Sequence, residues 1–212
     1  MIGINAVVFD VDGTLYRSRR YEAHLKEQIN KVLGEILGID DLEAARRLEI
    51  IKKKTKTVSL SVELMGVDRK IFYERLAEKV YPSNYIAPRP EVRNLLLELR
   101  KMNIKTGCHT NSGRSLFSKV LEAIGINSSD FDVVVTSDDA SPKPMKDGYI
   151  LLSKLLGTSF DRILYVGDRW EVEVKPAKEI GMITAIVYNK RGEADYYLED
   201  VTEVTKIISG TS

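Results

Sequence analysis

The stretch FDVDGTLY, residues 9–16, places Asp10 and Asp12 two positions apart at the end of an apolar run, with Gly13 and Thr14 directly behind. Residues at i and i+2 of an extended chain point to the same side, so both carboxylates can face one substrate. One carboxylate can attack as a nucleophile while the other protonates a leaving oxygen. Gly13 permits a tight exit from the strand and lets backbone N–H groups approach a phosphate. Asp-x-Asp-Gly is also good turn chemistry, so this pattern alone is equally a turn cap.

The same residue types recur behind later apolar runs. Thr110 and Asn111 close one; Ser137, Asp138, Asp139 and SPKP with Lys143 follow another; Gly167 and Asp168 close a third, with Glu171 and Glu173 beyond. Acids, hydroxyls and one lysine suit Mg²⁺ and phosphate, because Mg²⁺ takes a few carboxylate oxygens and keeps its other positions for water and substrate. Pro142 and Pro144 stiffen the loop around Lys143, which suits a fixed charge better than a solvated lysine. Glu171 and Glu173 are evenly balanced, since acids in a first helical turn also serve the helix dipole.

The elements that must position these residues are legible from periodicity. Residues 4–9 form a short β-branched strand. Helical spacing then covers 21–37, with Gly38 just after its end, 40–56, with Asp40 or Asp41 as N-cap, and 67–81, closed by Pro82. Residues 16–87 show no convincing strand and are a helical insert. After it, helices over 90–102, 113–124, 146–156 and 172–180 alternate with strands over 104–110, 131–137, 162–168 and 183–189. That alternation predicts a Rossmann-like, three-layer α/β core with a parallel sheet and right-handed crossovers. In such a sheet chemistry sits beyond the carboxyl ends of the strands, where the acids, hydroxyls and lysine all fall.

DVDGTL, HTNSG, SPKP and VGDRWEVEV resemble, in order and spacing, the four motifs of the haloacid dehalogenase-like (HAD) superfamily of phosphohydrolases. The resemblance covers the whole chain. It implies a core domain of residues 1–15 and 88–212, and a helical C1-type cap domain of residues 16–87. It implies that Asp10 is the nucleophile and Asp12 the general acid and then base. It gives Lys143 the neutralising charge, Gly13, Thr110 and Asn111 the phosphoryl oxygens, and Asp10, Asp168 and the backbone carbonyl of Asp12 a Mg²⁺. Two positions depart from the family's pattern. Glu173 stands where a further aspartate is usual, a residue behind the metal ligands rather than among them, and Arg169 stands where a serine or asparagine is common.

The implied activity is Mg²⁺-dependent hydrolysis of a small phosphomonoester, such as phosphoglycolate or a nucleotide, through an aspartyl-phosphate. A phosphomutase of the β-phosphoglucomutase type shares these motifs, and a non-catalytic phosphate-binding protein is a third reading. Asp12 argues against a dehalogenase, whose branch lacks that acid.

Composition narrows the classes further. A net charge of +1 argues against a nucleic-acid partner, and 43% apolar with 30% charged residues reads as an ordinary globular chain. No apolar run is long enough to span a bilayer, the N-terminus lacks a basic region ahead of its apolar one, and the expected location is cytoplasmic. Oligomeric state stays open between monomer and homodimer. Cys108 and His109 cannot form a nucleophile–base pair, because adjacent strand residues face opposite ways. The KKKTK run at 52–56 fans around a helix and reads as a solvated face, with Glu43–Arg47 and Glu49–Lys53 at i,i+4 spacing. His24 is a cap-helix residue, and Arg17, Arg19 and Arg20 meet either substrate or solvent. Tyr16, Tyr21, Tyr73, Tyr81 and Tyr85 are packed between helices more readily than stacked on a base.

Overall fold

The computed structural model describes residues 3–210. Six strands, β1 (Ala6–Phe9), β2 (Lys105–His109), β3 (Val133–Val135), β4 (Ile163–Gly167), β5 (Ile183–Val187) and β6 (Tyr196–Leu198), form one sheet in the order β3-β2-β1-β4-β5-β6. Every pairing is parallel. β1 is central, and its AVVF sequence is buried throughout, as a strand covered on both faces must be. Val7 and Phe9 join a core with α5 (Pro90–Lys101), α6 (Arg114–Ile124) and α9 (Val204–Ser209). Ala6 and Val8 turn the other way, onto α7 (Asp147–Leu156) and α8 (Lys175–Glu179). Three layers result from this simple alternation.

Four helices lie between β1 and α5: α1 (Arg19–Leu37), α2 (Asp41–Thr55), α3 (Val58–Leu64) and α4 (Arg69–Lys79). The chain is therefore a Rossmann-like core with an inserted helical cap. Local chemistry sets the helix ends. Ser18, Asp40, Thr57 and Asp68 each accept a hydrogen bond from a first-turn N–H, and Gly38 ends α1 in the left-handed conformation. Glu43 pairs with Arg47 as its spacing predicts, but Glu49 bonds Lys26 of α1 rather than Lys53. The i,i+4 expectation for Glu49 yields to a partner on the neighbouring helix.

α3, β6 and α9 are absent from the sequence expectations. The predicted helix over 172–180 is two pieces: a wide turn over Trp170–Val174, with Val174 N–H reaching Arg169 O at 3.3 Å, and then α8. The two segments joining cap to core are pinned together. Ser18 Oγ donates to Tyr85 O at 2.7 Å, and Arg89 Nη1 donates to Leu15 O at 3.1 Å. Arg89 Nη2 also reaches Asp200 Oδ2 at 2.9 Å, and the Tyr188 hydroxyl donates to that same oxygen at 2.9 Å.

Candidate active site

β1 delivers Asp10 to the sheet edge, where its N–H continues the ladder to Val166 O at 2.9 Å. Only 3% of Asp10 is exposed. Thr14 Oγ1 donates to its Oδ2 at 3.1 Å, and the Lys143 ammonium donates to its Oδ1. Lys143 is fully buried, which excludes the solvated-loop reading, and it also donates to His109 O at 2.9 Å. Burial first, then the charge of Glu173, pushes the Asp10 carboxyl up, while Lys143 pulls it down.

The loop that carries Lys143 is clamped by Asn111. Its Oδ1 accepts from Lys143 N at 2.7 Å and its Nδ2 donates to Lys143 O at 3.0 Å. The Asn111 side chain is thus committed to holding the lysine, which leaves its backbone N–H as the group to offer a phosphoryl oxygen. Thr110 is buried beside it, its Oγ1 accepting from Ser112 N at 3.0 Å.

Asp12 lies in the loop after β1, two residues beyond Asp10, on the side that faces the cap. The Tyr16 hydroxyl donates to its Oδ1, and Ser112 Oγ donates to Oδ2 at 3.4 Å. Burial raises the Asp12 carboxyl despite the hydrogen bond from Tyr16, so the site favours its protonated form more than water does. Gly13 adopts φ +94°, and a Cβ there would fall 2.5 Å from Asp168 Oδ2. Glycine is required by both the turn and the acid behind it.

β4 ends in Gly167 and Asp168. Asp168 Oδ1 is buried with no hydrogen-bond partner, and burial together with the charges of Glu173 and Asp10 raises its carboxyl. Oxygens of Asp10, Asp168 and Glu173 gather within 4.8 Å of one another. Buried acids gathered this closely repel, and an unpartnered oxygen among them is the donor set a hard cation fits. Glu173 is already saturated, however. Its Oε2 accepts from the N–H groups of Asp168 and Arg169, each at 3.2 Å, and its Oε1 from Arg169 Nε at 2.7 Å. Lys143 Nζ lies 3.8 Å from that Oε1. Burial alone would raise Glu173, but Arg169 and Lys143 hold it down. The two departures noted in the sequence are therefore one feature, an ion pair across the wide turn. Glu171, by contrast, is exposed beside Lys175.

Cys108 and His109 point to opposite faces: Cys108 packs with Phe9, and His109 stands 4.6 Å from the Tyr149 ring. Arg17 lies over Tyr188 at 4.8 Å, and Arg19 and Arg20 face solvent. His24 stacks on Tyr85 at 4.5 Å. Tyr81 is exposed, whereas Tyr16, Tyr21 and Tyr73 are buried. Sequence reasoning treated these three as packing and passed over Ser59 and Ser112. Tyr73 and Ser59 share a hydrogen bond of 2.7 Å, and Ser59 Oγ donates to Asn111 O at 2.8 Å. Gly113 lets the cap come this close, since a Cβ there would fall 2.5 Å from Tyr73 Cβ.

A central parallel sheet, a helical insert behind β1 and acids at the strand ends describe one family, and its model, haloacid dehalogenase-like hydrolase, matches residues 4–181. The chain belongs to that family. Its relatives include a glyceraldehyde 3-phosphate phosphatase of Methanocaldococcus jannaschii, 28% identical over 97% of each chain. A putative pyrophosphatase of Caldanaerobacter subterraneus is 27% identical, covering 98% of this chain and 96% of its own. Among solved structures, a HAD phosphatase of Thermococcus onnurineus superposes with TM-score 0.70 at 30% identity, over 98% of this chain and 99% of its own. No helix of the described residues is long and apolar enough to cross a membrane.

Proposed function

We propose that this protein is a Mg²⁺-dependent phosphatase that hydrolyses a small phosphomonoester through an aspartyl-phosphate on Asp10. The observation that carries the reading is the buried Lys143–Asp10–Thr14 contact, with Asp12 poised beside it on the cap side. A buried lysine and threonine orient the Asp10 carboxylate and compensate charge where an anionic ester arrives. Names of the relatives, which include phosphatases of glyceraldehyde 3-phosphate, are consistent with it.

In the first step an Asp10 oxygen forms a bond to phosphorus as the ester P–O bond breaks. Asp12 gives its proton to the departing oxygen. In the second, water attacks the aspartyl-phosphate, Asp12 takes the water's proton, and the P–O bond to Asp10 breaks to release phosphate. Lys143, Thr110 and the N–H groups of Gly13 and Asn111 hold the phosphoryl oxygens throughout. Asp10, Asp168 and the backbone carbonyl of Asp12 would hold Mg²⁺, which neutralises phosphoryl charge when bound. The unpartnered Asp168 oxygen supports that donor set. Glu173, engaged by Arg169, steadies Lys143 from behind. Closure of the cap excludes water from the first step.

Phosphate release from a panel of phosphomonoesters, with Mg²⁺ and with EDTA, tests this for the native chain and Asp10→Asn. Metal-dependent release, reduced at least about a hundredfold in the variant, is expected. Release that survives EDTA or the substitution would overturn the mechanism. A rearranged sugar phosphate in place of free phosphate would point to a mutase.

A further inference from the structure

The cap side of the site is lined with hydroxyls. Tyr16, Ser59, Tyr73 and Ser112 each have a partner among themselves, Asp12 or Asn111. Tyr21 does not. Its residue is 1% exposed, yet its hydroxyl has no hydrogen bond. The ring stands edge-on to Tyr16, centroids 6.0 Å apart, in the first turn of α1 where the Ser18 cap fixes it. Tyr16 in turn bonds Asp12, so Tyr21 stands one ring away from the acid that faces the leaving oxygen.

A buried hydroxyl without a partner costs stability, because water solvated it in the unfolded chain. Phenylalanine would pack this position without that cost. The hydroxyl is instead kept, buried and unpartnered, on a ring that packs against Tyr16, the phenol bonded to Asp12.

The charges nearby define what that leaving group is. The cations acting most strongly on Asp12 are Lys143 and Arg169, both core side chains held by Asp10 and Glu173. Arg69 of the cap, whose charge reaches Tyr73, faces Glu63 at 3.8 Å. Immediately around Asp12 the cap offers hydroxyls, while its Arg69, whose buried Nη1 has no hydrogen bond, acts on Tyr73 rather than on Asp12.

We propose that Tyr21 recognises the leaving group, its hydroxyl bonding an oxygen on an uncharged, hydroxyl- or carbonyl-bearing carbon chain. This rests on the phosphatase reading above. The test compares glyceraldehyde 3-phosphate, n-propyl phosphate and 2-phosphoglycolate as substrates of the native chain and Tyr21→Phe, with Mg²⁺.

The native chain should favour glyceraldehyde 3-phosphate over both others. In Tyr21→Phe, the ratio of kcat/KM for glyceraldehyde 3-phosphate to that for propyl phosphate should fall about tenfold, chiefly through KM. Its melting temperature without substrate should equal or exceed the native value. An unchanged ratio, a proportional loss on both substrates with a lower melting temperature, or a preference for phosphoglycolate would each overturn the inference. Activity on propyl phosphate with an unchanged ratio would leave the phosphatase reading standing and remove only the role of Tyr21. Release from none of these esters, nor from p-nitrophenyl phosphate, would sink both.

Discussion

At the scale of single residues, the site depends on how a fully buried ammonium is balanced. Lys143 faces Asp10 and Glu173, and Glu173 is held off by Arg169, four residues before it on the wide turn. Shortening Glu173 withdraws its carboxylate from the guanidinium and leaves Arg169 in front of Asp168. Glu173→Asp should therefore lower kcat about tenfold or more, although it restores the residue usual in the family. Adding Arg169→Ser should recover most of that loss, because the pair acts as a unit. Phosphate release by both variants decides it; additive losses would mean the two residues act separately. Asp10, Asp12, Lys143 and Asp168 were legible in the sequence because strand-end position and residue type agree there. The Arg169–Glu173 pair was visible as i,i+4 spacing but not recognised, since helical periodicity begins only at 172. Tyr16 and Tyr21 are packed, as the better of the two sequence readings held, but the hydrogen bond from Tyr16 to Asp12 was not legible, because a hydroxyl on an aromatic side chain carries no periodic signal of its own.

At the scale of elements, the junction between cap and core is held by the segment after β6. Asp200 accepts hydrogen bonds from Thr202 N–H at 3.0 Å, Arg89 at 2.9 Å and Tyr188 at 2.9 Å. Partial burial would raise its carboxyl, but these donors outweigh it and hold the group at about 2, below its ordinary 3.8. A carboxylate depressed in the folded chain stabilises it above the unfolded value, and that stability disappears as pH falls through the folded one. Asp200→Asn should thus melt a few degrees lower at pH 7. The gap should close between about pH 4 and pH 2, as melts across that range will show; a constant gap would place the effect in packing. The long helices and the alternating core were legible because each buries an apolar stripe. α3 was not, since VSLSVEL alternates apolar and polar residues as a strand does. It is helical because Thr57 caps it, accepting from Leu60 N–H at 3.3 Å, and because Ser61 Oγ bonds Thr57 O at 2.7 Å. β6 and α9 are short and lie at the sheet's edge or the chain's end, where few buried residues mark a period.

At the scale of the whole molecule, the cap sits on the core beside Asp10, which is itself buried. Cap and core meet through Ser59 on Asn111, through Lys119 on the end of α4, and through Tyr73 on Gly113. In the proposed mechanism the cap opens and closes by breaking and re-forming these contacts, and such motions commonly limit kcat. On a good substrate kcat should fall as sucrose raises solvent viscosity, approaching inverse proportion, while a slow aryl phosphate should be unaffected. A flat response on both would place the limit in chemistry. The sheet order has a different consequence, felt during synthesis. β1 leaves the ribosome first, but its partners are residues 105–108 on one side and 163–166 on the other. At about 5–20 residues per second, the AVVF strand waits roughly five to twenty seconds with both edges unpaired, and roughly eight to thirty before the second can pair. For most of that interval the helices of residues 19–79 are what the nascent chain has to shelter it, joined at its end by α5. The helical insert is thus placed, by its position in the gene, to be the first guardian of the strand that carries Asp10.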